Sequence, residues 1–229
     1  MPAVELPIFP LGLVLFPGAP QLLHIFEPRY RQMLADCLEG DRRFGVSYAA
    51  GGDEPAGPPA PGHVGCTALI RESRLLPDGR SNILTIGESR YQLREYLTTT
   101  LPYRVARVEP FDDDDPDADA PPLDEATASL RGQFTRFVDG MRALTDRPGD
   151  QIELADDPKM LSFQVSATLE VDDTVKLELL GLRSTLGRIE ILNRMLRPLN
   201  GELAGRVAVH TRARSNGKGG VARDIVRTQ

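Results

Sequence analysis

Between Pro28 and Leu38 apolar side chains recur at three- and four-residue spacing. Tyr30, Met33, Leu34, Cys37 and Leu38 share one face, which predicts a helix opened by Glu27-Pro28 and ended by Gly40. Ahead of it, from Val4 to Phe16, short apolar runs alternate with proline and glycine, predicting two brief strands joined by a turn; Phe16-Pro17-Gly18 makes a further tight turn. The middle of the chain reads as sheet, with strand-like runs at Phe44 to Ala49, His63 to Arg71, Ser81 to Gly87, Arg90 to Tyr96 and Tyr103 to Val108. Between two of them Asp78-Gly79 suits a hairpin turn with positive φ angles. Gly51 to Gly62 is a Pro/Gly/Ala loop. In the last strand both faces mix polar and apolar residues, which suits a closed or strongly curved sheet and favours a small barrel over a helix-wound parallel sheet.

The pattern changes at Asp112. The run from Asp112 to Pro122 repels itself and cannot bury itself, so it predicts a solvated linker and the main boundary of the chain. Beyond it Ala126, Leu130, Phe134, Phe137, Val138, Met141 and Leu144 form the stripe of an amphipathic helix. Asp157-Pro158 opens a second helix along Leu161, Val165 and Leu169. Asp172 or Asp173 caps a third, and Ser184 caps a fourth that buries Leu186, Ile189, Leu192, Met195 and Leu196 and that Pro198 and Gly201 end. The expected layout is therefore a β domain over residues 1–111, an acidic linker over 112–124, a helical bundle over 125–200 and a largely flexible basic tail over 201–229. In that tail six basic residues face Glu202 and Asp224.

Length and composition narrow the class. With 229 residues, 41% hydrophobic and 26% charged, the chain can bury a core without a disulfide or metal. A net charge of -6 disfavours a protein built to neutralise phosphates, and the basic tail carries no interleaved aromatic residue, so nucleic acid is not the expected partner. Two cysteines, Cys37 and Cys66, have no metal-site spacing and fit a reducing cytoplasm. The prolines that interrupt the apolar N-terminus argue against a signal peptide or membrane helix, so a soluble, unprocessed chain is expected.

Candidate chemistries fall away one by one. Gly217-Lys218-Gly219-Gly220 lacks the upstream glycine and the hydroxyl of a phosphate loop. Gly45-Val46-Ser47 resembles part of a nucleophile elbow, but the second glycine is missing and Ser47 reads as an ordinary strand serine. His63 and Cys66, three apart in a strand, point to opposite faces and make no metal pair; His24 reads as a packed or surface histidine. The aspartate run lacks the spaced ligands of a calcium loop. No catalytic residue, metal or cofactor is assigned, and a binding module is the expectation.

Several separate motifs, in order, then carry a resemblance. Leu6-Pro7-Ile8-Phe9-Pro10-Leu11, Val14-Leu15-Phe16-Pro17-Gly18, Ile25-Phe26-Glu27-Pro28-Arg29-Tyr30, Phe44-Gly45-Val46 and Gly87-Glu88-Ser89-Arg90-Tyr91 together resemble the N-terminal substrate-binding domain of Lon proteases, over about Glu5 to Leu199. The similarity is greatest to stand-alone bacterial proteins made of this domain alone. It implies an α+β fold, a PUA-like pseudo-barrel with one early helix followed by a helical bundle, and no ATPase or Ser-Lys peptidase module. It also implies binding of unfolded or tagged polypeptide, or of a protease or chaperone. Phe16, Phe26, Tyr30, Tyr48 and Tyr91 are the candidate anchors, with Arg29 and Arg90 as polar partners and Pro17 and Gly18 shaping the turn. The alternative, on fold analogy alone, is a small-ligand or RNA sensor, which a concave basic or aromatic cage would favour and a flat apolar strip would not. Sequence leaves the oligomeric state open.

Overall fold

Strand β1 (Val4–Leu11) holds two prolines and still lies inside a sheet. The register explains it. The sixth strand, β6 (Arg104–Pro110), pairs with Val4 to Ile8, and β3 (Arg43–Tyr48) pairs in parallel with Ile8 to Leu11. Pro7 therefore has a ladder on one side only, and so does Pro10, which relieves each of donating a bond it cannot make. Val4 to Leu11 is thus one strand rather than two. The computed structural model describes residues 3–51, 57–114, 121–145 and 152–217. Most of the Gly51 to Gly62 loop's first half, residues 115–120 of the acidic run and residues 218–229 of the tail lie outside them.

The remaining elements follow in chain order: β2 (Pro20–Ile25), α1 (Pro28–Glu39), then β3, β4 (Val64–Leu75), β5 (Ser81–Tyr96) and β6. Helices α2 (Pro121–Thr145), α3 (Pro158–Thr168), α4 (Asp173–Gly181) and α5 (Thr185–Gly217) complete the described chain. The strands form one mixed sheet in the order β2-β5-β4-β3-β1-β6, and β6 pairs back onto β5. The result is a pseudo-barrel rather than an even barrel. Register shifts at Cys66/Ala68, Ile70/Glu72 and Leu93/Glu95 supply the bends that closure requires. β5 is one long strand where the sequence suggests two. Its first half serves β2, its second half serves β6, and it pairs with β4 from Ser81 to Gln92.

The glycine-bearing motifs seat side chains and turns. The ring of Tyr91 lies against Gly45 and Gly65, and a Cβ at Gly65 would stand 2.4 Å from Tyr91 Cζ and 2.6 Å from the Val46 carbonyl oxygen. At Gly87 a Cβ would meet the Phe16 carbonyl oxygen at 2.2 Å, because the Phe16-Pro17-Gly18 turn docks there. Gly18 N donates to Gly87 O at 2.8 Å and Gly87 N returns a bond to Ala19 O at 3.0 Å. Gly18 itself has φ +77°, which glycine adopts without strain. On one side of the sheet α1 packs Tyr30, Met33, Leu34 and Cys37 into a core with Phe9, Phe44 and Ile25. A smaller cluster gathers Leu6, Ile8, Tyr91, Leu93, Ala106 and Val108.

The chain divides into two units, Met1–Ala118 with Leu154–Arg188, and Asp119–Glu153 with Ile189–Gln229. Helices α3 and α4 thus belong with the sheet, a division that departs from the expected β domain and separate bundle. Asp157 caps α3 by accepting from Met160 N at 2.9 Å, and Ser184 accepts from Gly187 N at 3.0 Å, as their sequence positions suggest. In the second unit α2 and α5 run in the same direction. Asn193 Nδ2 donates to Ala126 O, Gln133 Nε2 to Asn193 Oδ1, and Asn200 Nδ2 to Gln133 O. α5 continues through Pro198 and Gly201, where the sequence reading ends it. Leu192, Leu196 and Leu203 are all buried, so packing on both sides outweighs the single backbone bond that proline forfeits.

Two glycine substitutions should move stability in opposite directions. Gly87→Ala forces the Phe16 turn away and should cost about 1–3 kcal/mol or more in denaturant unfolding. Gly132→Ala, whose Cβ meets nothing within 4 Å on α2, should stabilise by up to about 1 kcal/mol.

Candidate functional site

Alternation along β2 sends Gln21, Leu23 and Ile25 inward and Pro20, Leu22 and His24 outward. Across the ladder Leu22 faces Leu84 and Pro20 faces Ile86, and Ile86 in turn faces Leu69 of β4. Residues opposite one another share a face, so these side chains form an apolar strip on the outside of the sheet. Leu22 is 73% exposed and Phe26, just past the strand, is 58% exposed. The Phe26 ring stacks beside His24 with centroids 6.0 Å apart, and His24 Nδ1 donates to Asn82 Oδ1 at 2.6 Å. Among the described residues β2 pairs only with β5, leaving its second edge for another strand.

A second surface feature is a groove of about 330 Å³ beside the start of α1. Arg29, Tyr30, Tyr96, Tyr103 and Arg104 line it with the Leu97 to Pro102 loop. The Arg29 guanidinium lies 4.7 Å from the centroid of Tyr30 and bonds to Glu27 Oε2, while that of Arg104 lies 5.7 Å from Tyr96. Tyr103 donates to Asp36 Oδ2 at 2.6 Å; burial, that bond and the Asp36 charge push its phenol up.

Arg90 has a different setting. Its side chain is buried, with one guanidinium nitrogen donating to Leu180 O at 2.6 Å and to Leu182 O, and the other to Asp113. Arg188 approaches the same carboxylate from α5 at 2.7 Å, bonds Ser162 Oγ at 2.8 Å and reaches Leu182 O at 3.0 Å. Both guanidiniums lie over the Phe163 ring, at 5.1 and 4.0 Å. Burial pushes the Asp113 carboxyl up, but the bonds from Arg188 and Thr185 and the charges of Arg188 and Arg90 outweigh it and hold the group below the usual range. Burial lowers Arg90, partly offset by Asp113. Asp113 is only 8% exposed, so this part of the acidic run is an internal counter-ion rather than a solvated spacer. Asp114 and Asp112 are tied by ion pairs to Arg183 and Lys159.

Chemistry based on a nucleophile finds no support in the geometry. Ser47 shares a 2.7 Å hydrogen bond with Tyr91, not with an imidazole, inside the cluster where Tyr91 is fully enclosed. Burial, aided by Asp41 and Asp36, pushes the Cys37 thiol up to about 12; burial likewise pushes up that of Cys66. Neither is a ready thiolate. Among the described residues no group of three His, Cys, Asp or Glu could hold a metal, and no helix is long and apolar enough to cross a membrane.

The family model for the ATP-dependent protease La (LON) substrate-binding domain matches residues 5–197. The chain belongs to this family. Relatives include the Lon proteases of Heliobacterium modesticaldum, 25% identical over 195 residues, and Methylocella silvestris, 24% identical over 189. The matches cover 84% and 81% of this chain but only 24% and 23% of those proteins. Among solved structures, the Lon N-terminal domain protein from Xanthomonas campestris aligns at 24% identity with a TM-score of 0.57, covering 82% of this chain and 96% of that one. The N-terminal domain of a Mycobacterium avium complex Lon protease aligns at 13% identity and a TM-score of 0.60, covering 84% and 98%. The LON domain fold is therefore the fold of this chain.

Within this LON domain the seven residues singled out from sequence are spread over several settings. Phe16, Tyr30, Arg90 and Tyr91 are buried and serve the fold, and of these four Tyr30 alone also lines the groove. Phe16 approaches Phe163 at 6.3 Å and Tyr30 packs on Phe9 at 4.2 Å between ring centroids. Tyr48 is half-buried, its phenol pushed up by burial and by the charge and hydrogen bond of Asp173. Arg29 and Tyr30 share the groove, and Phe26 alone of the seven stands on the apolar strip. Sequence reasoning missed Leu22, Leu84 and Ile86, although the alternation from Pro20 to Ile25 was the available signal.

Two outcomes follow. Asp113→Asn leaves two buried guanidiniums facing each other and should cost about 3–5 kcal/mol in denaturant unfolding. Burial holds His63 below its ordinary value of 6.5, and its Nε2 has no partner among the described residues. As pH falls below about 6.5 the unfolded chain takes up a proton that the folded one resists, so stability is full above that pH and declines toward the folded value. His63→Gln should flatten this acid-side fall in melting temperature measured from about pH 7.5 to about pH 5.

Proposed function

We propose that this LON domain is a non-catalytic module that captures exposed apolar segments of unfolded or tagged polypeptides, or docks a protease or chaperone partner, on the outer face and free edge of β2. The observation that carries the reading is the solvent-facing strip of Leu22, Phe26, Leu84 and Ile86 on a chain whose family is described by substrate binding. Apolar burial would supply affinity, and an extended client could add backbone pairing along the open edge. Such clients show alternating apolar side chains only while unfolded, which makes the strip a detector of the unfolded state. The buried thiols of Cys37 and Cys66 suit a reducing, cytoplasmic setting.

The groove of Arg29, Tyr30, Tyr96, Tyr103 and Arg104 favours a second reading, a sensor for a small anionic or RNA-derived ligand held by guanidinium and aromatic groups. The two readings separate by experiment. With a reduced, unfolded model protein as ligand, Leu22→Asp and Phe26→Ser should weaken binding about tenfold or more without lowering the melting temperature, since both side chains are already exposed. Unchanged binding in both variants, together with a thermal shift from nucleoside monophosphates that Arg104→Ala abolishes, would move the function to the groove.

A further inference from the structure

Beside the core-facing stripe of α1, and sharing Leu34 and Leu38 with it, lies a larger groove, about 570 Å³, between that helix and the β4–β5 hairpin. Leu34, Ala35 and Leu38 from the helix and Leu75 from β4, which is 73% exposed, make its apolar part, and Gln32, Ser73 and Ser81 are its neutral polar lining. Arg31, Ala35 and Leu38 stand at i, i+4 and i+7, so a small residue sits between a cation and an apolar side chain along two helical turns. Such spacing accepts a second helix or a short apolar segment laid along α1, with Ala35 allowing close approach.

Arg31 is the one charged side chain that lines the groove, and no carboxylate among the described residues forms an ion pair with it. Its guanidinium lies against the hairpin: a Cβ at Gly79 would stand 2.5 Å from Arg31 Nη2. Gly79 has φ +78°, so the Asp78-Gly79 turn both requires glycine and makes the space that the arginine occupies. Asp78 does not neutralise Arg31, because it is paired with Arg80 at 2.5 Å. The neighbouring charges of β4 do not enter the groove: Glu72 faces Leu84 and Arg74 faces Asn82 on the outer face of the sheet, whereas Leu75, opposite Ser81, turns toward α1. In a chain of net charge -6, Arg31 thus places one positive charge beside the apolar side chains of Leu34, Leu38 and Leu75.

We infer that this groove binds an amphipathic polypeptide segment carrying an Asp or Glu side chain beside its apolar residues, the carboxylate pairing with Arg31 and the apolar side chains covering Leu75 and Leu38. The inference rests on the polypeptide-binding reading and adds to it a second, charge-selective subsite apart from the β2 strip. Apolar burial would give affinity, and the single cation would select acidic over basic segments.

The test uses the whole chain and a fluorescein-labelled peptide of about 12 residues, acetylated and amidated, with Leu at i, i+4 and i+7 and Glu at i+3. Anisotropy should show saturable binding that weakens about tenfold when the peptide's Glu becomes Gln, and by a similar factor in Arg31→Glu and Leu75→Asp. Arg31→Ala serves as the milder variant, and an unchanged melting temperature confirms that each variant is folded. Leu22→Asp should leave this peptide's affinity unchanged. Binding that ignores Arg31 and Leu75, or that needs a free C-terminal carboxylate instead of the Glu, overturns the groove assignment. Capture of a reduced, unfolded protein with no affinity for the peptide also overturns it while sparing the β2 reading. Loss of both activities in the wild type ends both.

Discussion

Two guanidiniums share one carboxylate inside the sheet-bearing unit, and the placement of α3, α4 and the first turn of α5 follows from that shortage of negative charge. Arg90 and Arg188 would be costly to bury with Asp113 alone, since desolvation of each ion is worth several kcal/mol. The remaining donors are met by the carbonyls of Leu180 and Leu182 at the C-terminal end of α4, where the helix dipole places partial negative charge. Phe163 on α3 offers its ring to both cations. Each helix thus supplies something the sheet residue Arg90 cannot obtain from the sheet. Asp113 enters from the chain that follows β6, buried between the exposed Asp112 and Asp114.

This arrangement shows what was legible in the sequence. Local rules located the Asp78-Gly79 hairpin, the Asp157 and Ser184 caps and the Pro28 start of α1, because each depends on neighbours within four residues. The Gly87-Glu88-Ser89-Arg90-Tyr91 motif was visible, but not the work it does. Gly87 accepts the Phe16 turn, Tyr91 fills the space over Gly45 and Gly65, and Arg90 holds the helices. All three partners lie far along the chain. Asp113 was hidden for the opposite reason: surrounded by other aspartates, it shares their composition and not their environment. The β2 strip was missed because His24 and Gln21 dilute an alternation that only the pairing with Leu84 and Ile86 makes continuous.

The second unit solves a different problem with the same economy of charge. Ala126, Leu130, Gln133, Phe137, Gly140 and Leu144 on α2 keep a four-three spacing, as do Ile189, Asn193, Leu196, Asn200, Leu203 and Val207 on α5. Such seams usually pack apolar residues, and polar ones in them fix register at a cost in stability. Here Gln133, Asn193 and Asn200 bond in a ladder, and Leu203 fits over Gly140, where a Cβ would come within 2.5 Å of it. A slip by one turn would strand the two buried amides of Gln133 and Asn193 and drive a leucine into a larger side chain. The parallel register therefore rests on hydrogen bonds and one small residue, which explains why the helix persists past Pro198.

With Arg90, Tyr91 and Phe16 committed to the interior, the proposed recognition falls to side chains that the fold does not need. The space around Tyr91 has no room for a guest, since even a methyl group at Gly65 or Gly45 would collide with it. Leu22, Phe26 and Leu75 are exposed at no benefit to the core, and Arg31 is cationic without an ion-pair partner among the described residues. Single exposed apolar groups are ordinary on a protein surface, whereas apolar groups gathered into one contiguous patch mark an interaction surface. A rigid scaffold that spends its sequence motifs on its own packing can change such surface residues without risk to folding, so under the proposed reading binding preference can be altered at the surface while the LON fold stays fixed.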